Sequence, residues 1–148
     1  AATEVRSAIT ILPEARLAVF GDRAANVHAL DAETGEPRWS RSVDPHPNAA
    51  LTGSITAHAG HLFVPLSSND DINALDPEFP CCSHSGAVVA LDAATGELLW
   101  RTATIDEAPR ATGRTVLGTE IRGPSGAANW HTPTIDAKRG LIFVGTGN

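Results

Sequence analysis

Eleven residues of this chain occur twice. Ala29-Leu30-Asp31-Ala32-Glu33-Thr34-Gly35-Glu36-Pro37-Arg38-Trp39 returns as Ala90-Leu91-Asp92-Ala93-Ala94-Thr95-Gly96-Glu97-Leu98-Leu99-Trp100, identical at eight positions and offset by 61 residues, Asp31 to Asp92. Repetition at a fixed interval constrains architecture before any local reading, because each repeat must stack on its neighbours to bury its apolar face. The unit also has a local meaning. An apolar run ends in Asp, whose short carboxylate accepts backbone N–H groups two residues on, and Gly supplies the positive φ of a tight reversal. A second run then leads to Trp. The pattern predicts a β-hairpin with a fixed turn and a large aromatic docked at its end.

Short runs on either side complete the unit. Glu4 to Ile11 predicts a strand, Leu12 to Ala15 a turn, and Leu17 to Phe20 a buried strand bounded by Gly21-Asp22. Asn26 to Leu30 and Pro37 to Val43 follow, giving a four-stranded antiparallel meander. The pattern restarts with Ser54 to His58, His61 to Pro65, Gly86 to Leu91 and Leu98 to Thr102, and again with Trp130 to Asp136 and Leu141 to Val144. The three openings resemble one another: Ser7-Ala8-Ile9-Thr10, Ser54-Ile55-Thr56 and Thr132-Pro133-Thr134-Ile135. Four-stranded units in radial repetition are β-propeller blades. A β-sandwich also has many short strands, but its strands have no reason to repeat in sequence. The expectation is therefore an all-β, partial β-propeller of about two and a half four-stranded antiparallel blades. It divides into a blade at 1–50, a blade at 51–104 with an insertion at 66–85, a loop at 105–127 and a half blade at 128–148. The one helical candidate is a single turn from Asp70 to Asp76, before Pro77.

Composition excludes several function classes. A formal charge of −6 and a pI near 5.4 are the wrong sign for a nucleic-acid binder. No apolar run approaches the ~18 residues that cross a membrane as a helix, and no signal-peptide pattern opens the chain. The sequence holds no Met and stops at Gly145-Thr146-Gly147-Asn148, directly after a strand, which reads as a piece cut from a longer protein. Two and a half blades would leave an open ring and an exposed sheet edge, so the expectation for the piece alone is association in solution.

Candidate chemistry lies where the repeat is interrupted. Trp39 and Trp100 belong to the repeated unit and read as packing between blades. Trp130 follows the Gly-rich stretch 123–129 outside the repeat, and is either core or a flat platform for a planar ligand. Cys81 and Cys82 are adjacent. They are free thiols, or part of a metal site with His84, or partners in a strained bond of the kind retained at functional places. Asn148 is a turn residue or an oxygen ligand for a hard cation such as calcium. Of the six histidines only His58 and His61 are near each other, flanking a hairpin turn as solvated side chains. No nucleophile elbow, phosphate-cradling glycine loop or zinc-protease motif occurs.

The Ala-Leu-Asp-Ala-x-Thr-Gly-x-x-x-Trp unit resembles the blade motif of the quinoprotein alcohol dehydrogenases, which use pyrroloquinoline quinone. The Pro80-Cys81-Cys82 run ahead of Gly86 to Asp92, and Gly123 to Trp130 leading into Val144 to Asn148, resemble the polyvinyl-alcohol-oxidising group within that family. The resemblance implies an eight-bladed periplasmic propeller that oxidises an alcohol and passes electrons to a cytochrome c. It implies that Trp130 stacks on the quinone, that Cys81 and Cys82 form a vicinal disulfide over the quinone, and that Asn148 binds Ca²⁺ beside it. Two departures accompany it. The family's vicinal cysteines lie in an earlier blade. Its calcium-binding Glu falls at the position of Cys81, so that only Glu78 is at hand to replace it. The family's base, an Asp, follows the Asn and so lies beyond this sequence. The alternative is a non-catalytic propeller scaffold of the outer-membrane assembly type, which needs the hairpins but has no use for adjacent cysteines.

Overall fold

The computed structural model describes residues 3–147. Four strands, β1 (Thr10–Leu12), β2 (Leu17–Gly21), β3 (Asn26–Asp31) and β4 (Pro37–Ser42), form an antiparallel sheet in sequence order. A second sheet is built from β5 (Ala49–Ala50), β6 (Thr56–His58), β7 (His61–Ser68), β8 (Ala87–Asp92) and β9 (Leu98–Ala103), with β6 and β5 pairing successive parts of β7. A one-turn helix, α1 (Asp70–Asn73), follows β7. Two hairpins complete the described chain: β10 (Arg110–Arg114) with β11 (Glu120–Gly123), and β12 (Thr134–Asp136) with β13 (Leu141–Phe143).

The duplicated sequence folds twice into the same turn. Asp31 Oδ1 accepts the N–H groups of Glu33 and Thr34, both at 3.0 Å; Asp92 Oδ1 accepts those of Ala94 and Thr95, at 3.0 and 2.8 Å. Gly35 and Gly96 take φ of 74° and 71°. Both copies shift register at the same point, between Ala29 and Leu30 and between Ala90 and Leu91. The openings match as well. Thr10 Oγ1 donates to the Ile55 carbonyl at 2.6 Å, and Thr56 Oγ1 donates to the Pro133 carbonyl at 2.6 Å. Each first strand is thereby stapled to the next unit, and β6 lies between β1 and β12.

Alternation does the rest. Leu17, Val19, Val27 and Ala29 from the first sheet meet Leu62, Val64, Leu66, Val89 and Leu91 from the second, and Leu51 just after β5, in one buried cluster. Every other residue of β2 and β3 points into it, as the period-2 pleat requires. The first strand is shorter and later than the sequence predicts. Val5 makes only an isolated bridge to Asp22, and pairing with β2 runs from Thr10 to Leu12, so that Leu12 belongs to the strand and not to the turn. β7 runs on to Ser68, since Ser67 and Ser68 are paired by Ala50 and Ala49. Residues 105–127 hold a hairpin that their turn-rich composition conceals.

One buried carboxylate gives this sheet a pH dependence. Burial acts to raise the pKa of Asp22, but hydrogen bonds from the His28 ring at 2.9 Å and from Asn26 outweigh it and lower it from 3.8 to about 2. A depressed carboxylate stabilises the fold fully above its unfolded pKa, and the contribution disappears as pH falls through the folded one. Between about pH 5 and pH 2 the chain should lose roughly 2 kcal/mol through this group. Urea unfolding across that interval checks it: Asp22→Asn should show a correspondingly shallower fall, and parallel curves would contradict the assignment.

Candidate functional site

The stretch that interrupts the second sheet builds one wall of a cleft. After α1 the chain passes through Cys81 and Cys82, which are joined by a disulfide, and returns to the sheet at Ala87. Of the thiol, metal and bonded forms, the bonded one is the form in this structure. The Cys81 carbonyl accepts the Arg122 N–H, and the Cys82 N–H donates to the Arg122 carbonyl. The root of the β10–β11 hairpin therefore holds both cysteines from outside.

The second wall comes from the Gly-rich stretch. Gly126 bridges to Ser85, and the Gly86 N–H donates to the Gly126 carbonyl at 2.9 Å. Asn129 is fully buried. Its side-chain amide donates to the Ala87 carbonyl at 2.8 Å and its backbone N–H to the Leu66 carbonyl at 3.1 Å. Those two bonds fix the neighbouring Trp130, which remains 43% exposed at the mouth of the strand pair. Gly147 packs so closely that a Cβ there would lie 2.9 Å from the indole Cζ2.

Cys82 and Trp130 line the same cavity of about 320 Å³, together with Ser68, Asp70, Ser125 and Ala128. Trp130 also borders an adjoining cavity of about 370 Å³ that holds Arg6, Arg23 and Thr52. The cleft thus offers a large aromatic surface, a disulfide sulfur, hydroxyl groups, and two arginines alongside. Asp70 and Asp71 also border the cleft, and both arginines are ion-paired with Glu4, at 3.0 and 3.5 Å. The indole plane and the hydroxyls therefore suit a flat, oxygen-rich ligand, with carboxylates beside it.

The calcium expectation finds less. Glu78 is exposed and does not line the cleft. Asn148 lies outside the described residues, and among the described residues no group of three or more His, Cys, Asp or Glu side chains is placed to hold a metal. Trp39 and Trp100 are away from the cleft. The Trp39 indole N–H donates to the Ala93 carbonyl at 3.2 Å, so this residue joins the first unit to the turn of the second. His58 and His61 face each other across their hairpin, both exposed.

Sequence reasoning missed Asp70, Asn129 and the segment 44–48. Asp70 is 2% exposed and accepts the N–H groups of Ser83 and His84, both at 2.8 Å. His84 is also buried. Desolvation pushes its ring below the usual imidazole range, against the pull of Asp44, so it stands neutral beside the disulfide. No local pattern distinguishes a loop aspartate that will be buried from one that will be solvated.

The family model PQQ_2, described as outer membrane protein assembly factor BamB, matches residues 1–100 and 23–146. The chain belongs to the PQQ_2 family. Its relatives include the polyvinylalcohol dehydrogenase of Sphingopyxis sp. (strain 113P3), 45% identical over 99% of this chain and 23% of that protein. The polyvinylalcohol dehydrogenase of Pseudomonas sp. is 43% identical over 87% of this chain and 20% of its own length. The solved quinohemoprotein alcohol dehydrogenase of Comamonas testosteroni superposes with a TM-score of 0.64 at 20% identity, over 90% of this chain and 20% of that one. At that identity the likeness establishes the fold, a partial β-propeller. The PQQ_2 chain spans about a fifth to a quarter of the curated relatives it matches. Its resemblance to the quinoprotein alcohol dehydrogenases, read from the repeated eleven-mer, stands.

Proposed function

We propose that this chain supplies one side of the cofactor chamber of a quinone-dependent dehydrogenase for secondary alcohols, of which polyvinyl alcohol is the leading substrate. The observation that carries the reading is that Cys82 and Trp130, far apart in sequence, line one cleft. Pyrroloquinoline quinone supplies a two-electron acceptor when bound. Trp130 would stack on it, Cys81 and Cys82 would close the cleft beside it, and Ser68 and Ser125 would meet its polar edge. Arg6 and Arg23, each paired with Glu4, would lie in the adjoining cavity that Trp130 also borders. Asn148 is proposed as a Ca²⁺ ligand on the family resemblance. The electrons would pass to a cytochrome c, and the compartment would be the periplasm, where a vicinal disulfide persists. A non-catalytic assembly scaffold accounts for the blades but gives the disulfide and the cleft no work to do.

The test uses the full-length protein, reconstituted with pyrroloquinoline quinone and Ca²⁺ and assayed for dye reduction with secondary alcohols. Dye reduction with retained quinone is expected. Trp130→Ala should weaken quinone binding about tenfold or more, since stacking on an aromatic contributes roughly 1–3 kcal/mol. A full-length protein that retains no quinone and reduces no dye would sink the reading in favour of the scaffold.

A further inference from the structure

Between the first and second sheets the chain reads Asp44-Pro45-His46-Pro47-Asn48, a segment to which the quinone reading gives no part. Two of its side chains, Asp44 and His46, contact the loop that follows the cysteines, and the third, Asn48, contacts α1 ahead of them. Asp44 accepts from Arg101 at 3.0 Å and faces the His84 ring at 3.5 Å. The His46 ring stacks on His84 with centroids 4.7 Å apart, and its Nε2 lies 3.1 Å from Ser83 Oγ. The Asn48 amide donates to Asp70 Oδ1, while its oxygen accepts from Asn73 at 3.0 Å. Two prolines restrict the backbone of the segment and suit it to act as a strap.

Asp70 ties the two sets together, binding Asn48 of the strap and the same loop residues, Ser83 and His84, that Asp44 and His46 contact. One carboxylate oxygen takes the Ser83 and His84 N–H groups, the other takes Asn48, and the residue borders the cleft itself. A buried carboxylate is acceptor-only, so it can satisfy three donors at once. The residues it grips begin directly after Cys82. We infer that Asp70, braced by the 44–48 strap, is a positioning residue that holds the disulfide wall at its working distance from Trp130. The inference rests on the quinone reading of the cleft and adds to it the element that fixes its width. Asparagine at position 70 offers one acceptor oxygen and turns an NH₂ toward donors, so at least one of the three N–H groups loses its partner. The Cys82 wall is then free to drift.

Full-length protein carrying Asp70→Asn, Asp70→Glu or His46→Gln is compared with the parent in two measurements. The first is the quinone dissociation constant of the apoprotein, by fluorescence titration. The second is the rate at which dithiothreitol reduces the Cys81–Cys82 bond in the absence of quinone. Asp70→Asn is expected to raise the dissociation constant tenfold or more and to speed reduction severalfold, with the far-UV spectrum and cooperative melting retained. Asp70→Glu should recover part of both losses, and His46→Gln should give a two- to fivefold effect in the same direction. Parental affinity and reduction rate in Asp70→Asn would overturn the inference. Should Asp70→Asn fail to fold, His46→Gln decides, and parental values there overturn it. A parent that binds no quinone would instead sink the functional reading, while the reduction rates still report whether Asp70 holds the cysteine loop.

Discussion

Replacing Gly86 by alanine should destabilise the chain by about 3 kcal/mol and displace Trp130. A Cβ at this position would be driven into the Ala127 carbonyl oxygen and would lie 2.8 Å from the Ala128 Cα. Both obstacles are backbone, so neither can turn aside as a side chain would. The site is also a junction: the Thr104 N–H donates to the Gly86 carbonyl, and the single Thr104 hydroxyl proton is shared between the Gly86 and Ala127 carbonyls, 2.7 and 2.9 Å away. Overpacking in a closed core costs typically 1–3 kcal/mol, and here the loop that must yield carries Asn129 and its bond to Ala87. Urea unfolding gives the stability change, and quinone retention by the full-length variant reports the displacement. An alanine variant with the parent's midpoint would show that the loop and the sheet are not pressed together as described.

The second large effect separates two tryptophans that the sequence treats as copies. Trp39→Ala should cost about 2 kcal/mol, below the range for truncating a fully buried aromatic because Trp39 is partly buried against the core. Its indole donates to Ala93 across the unit boundary and lies against Gly96, where a Cβ would come within 2.6 Å of the ring. Arg41 adds a bond from Nε to the Gly96 carbonyl at 2.9 Å. Trp100 is 40% exposed, and its ring neighbour is Phe63 in its own sheet, at 6.0 Å. Trp100→Ala in this chain should therefore change stability by about 1 kcal/mol or less. Equal losses in thermal or urea unfolding would refute the docking of Trp39 as the origin of the larger one.

The repeated eleven-mer made the blades legible because everything that shapes them is local. An Asp that caps its own turn, a Gly at positive φ and alternating apolar residues can all be read without knowing what lies opposite. The cleft was legible only in part. Cys81, Cys82 and Trp130 stood out because they break the repeat, and the resemblance gave them a common purpose. Asp70, His46 and Asn48 carry no such mark. Their roles come from contacts across the fold, and an aspartate in a polar loop looks solvated until its neighbours are known. The β10–β11 hairpin was hidden for another reason: β10 is exposed throughout and β11 has no buried residue. Without a buried face there is no alternation to see.

The insertion between β7 and β8 leaves the sheet around it undisturbed. Leu66 pairs with Ala87 on either side of it, just as Gly21 pairs with Val27 at the short corner of the first sheet. Such a corner behaves as a socket. The ladder beneath holds whatever is plugged in, and in this chain it carries a segment bearing two bonded cysteines. A segment seated in such a port can lengthen or change its chemistry while the β-framework that carries it keeps its register.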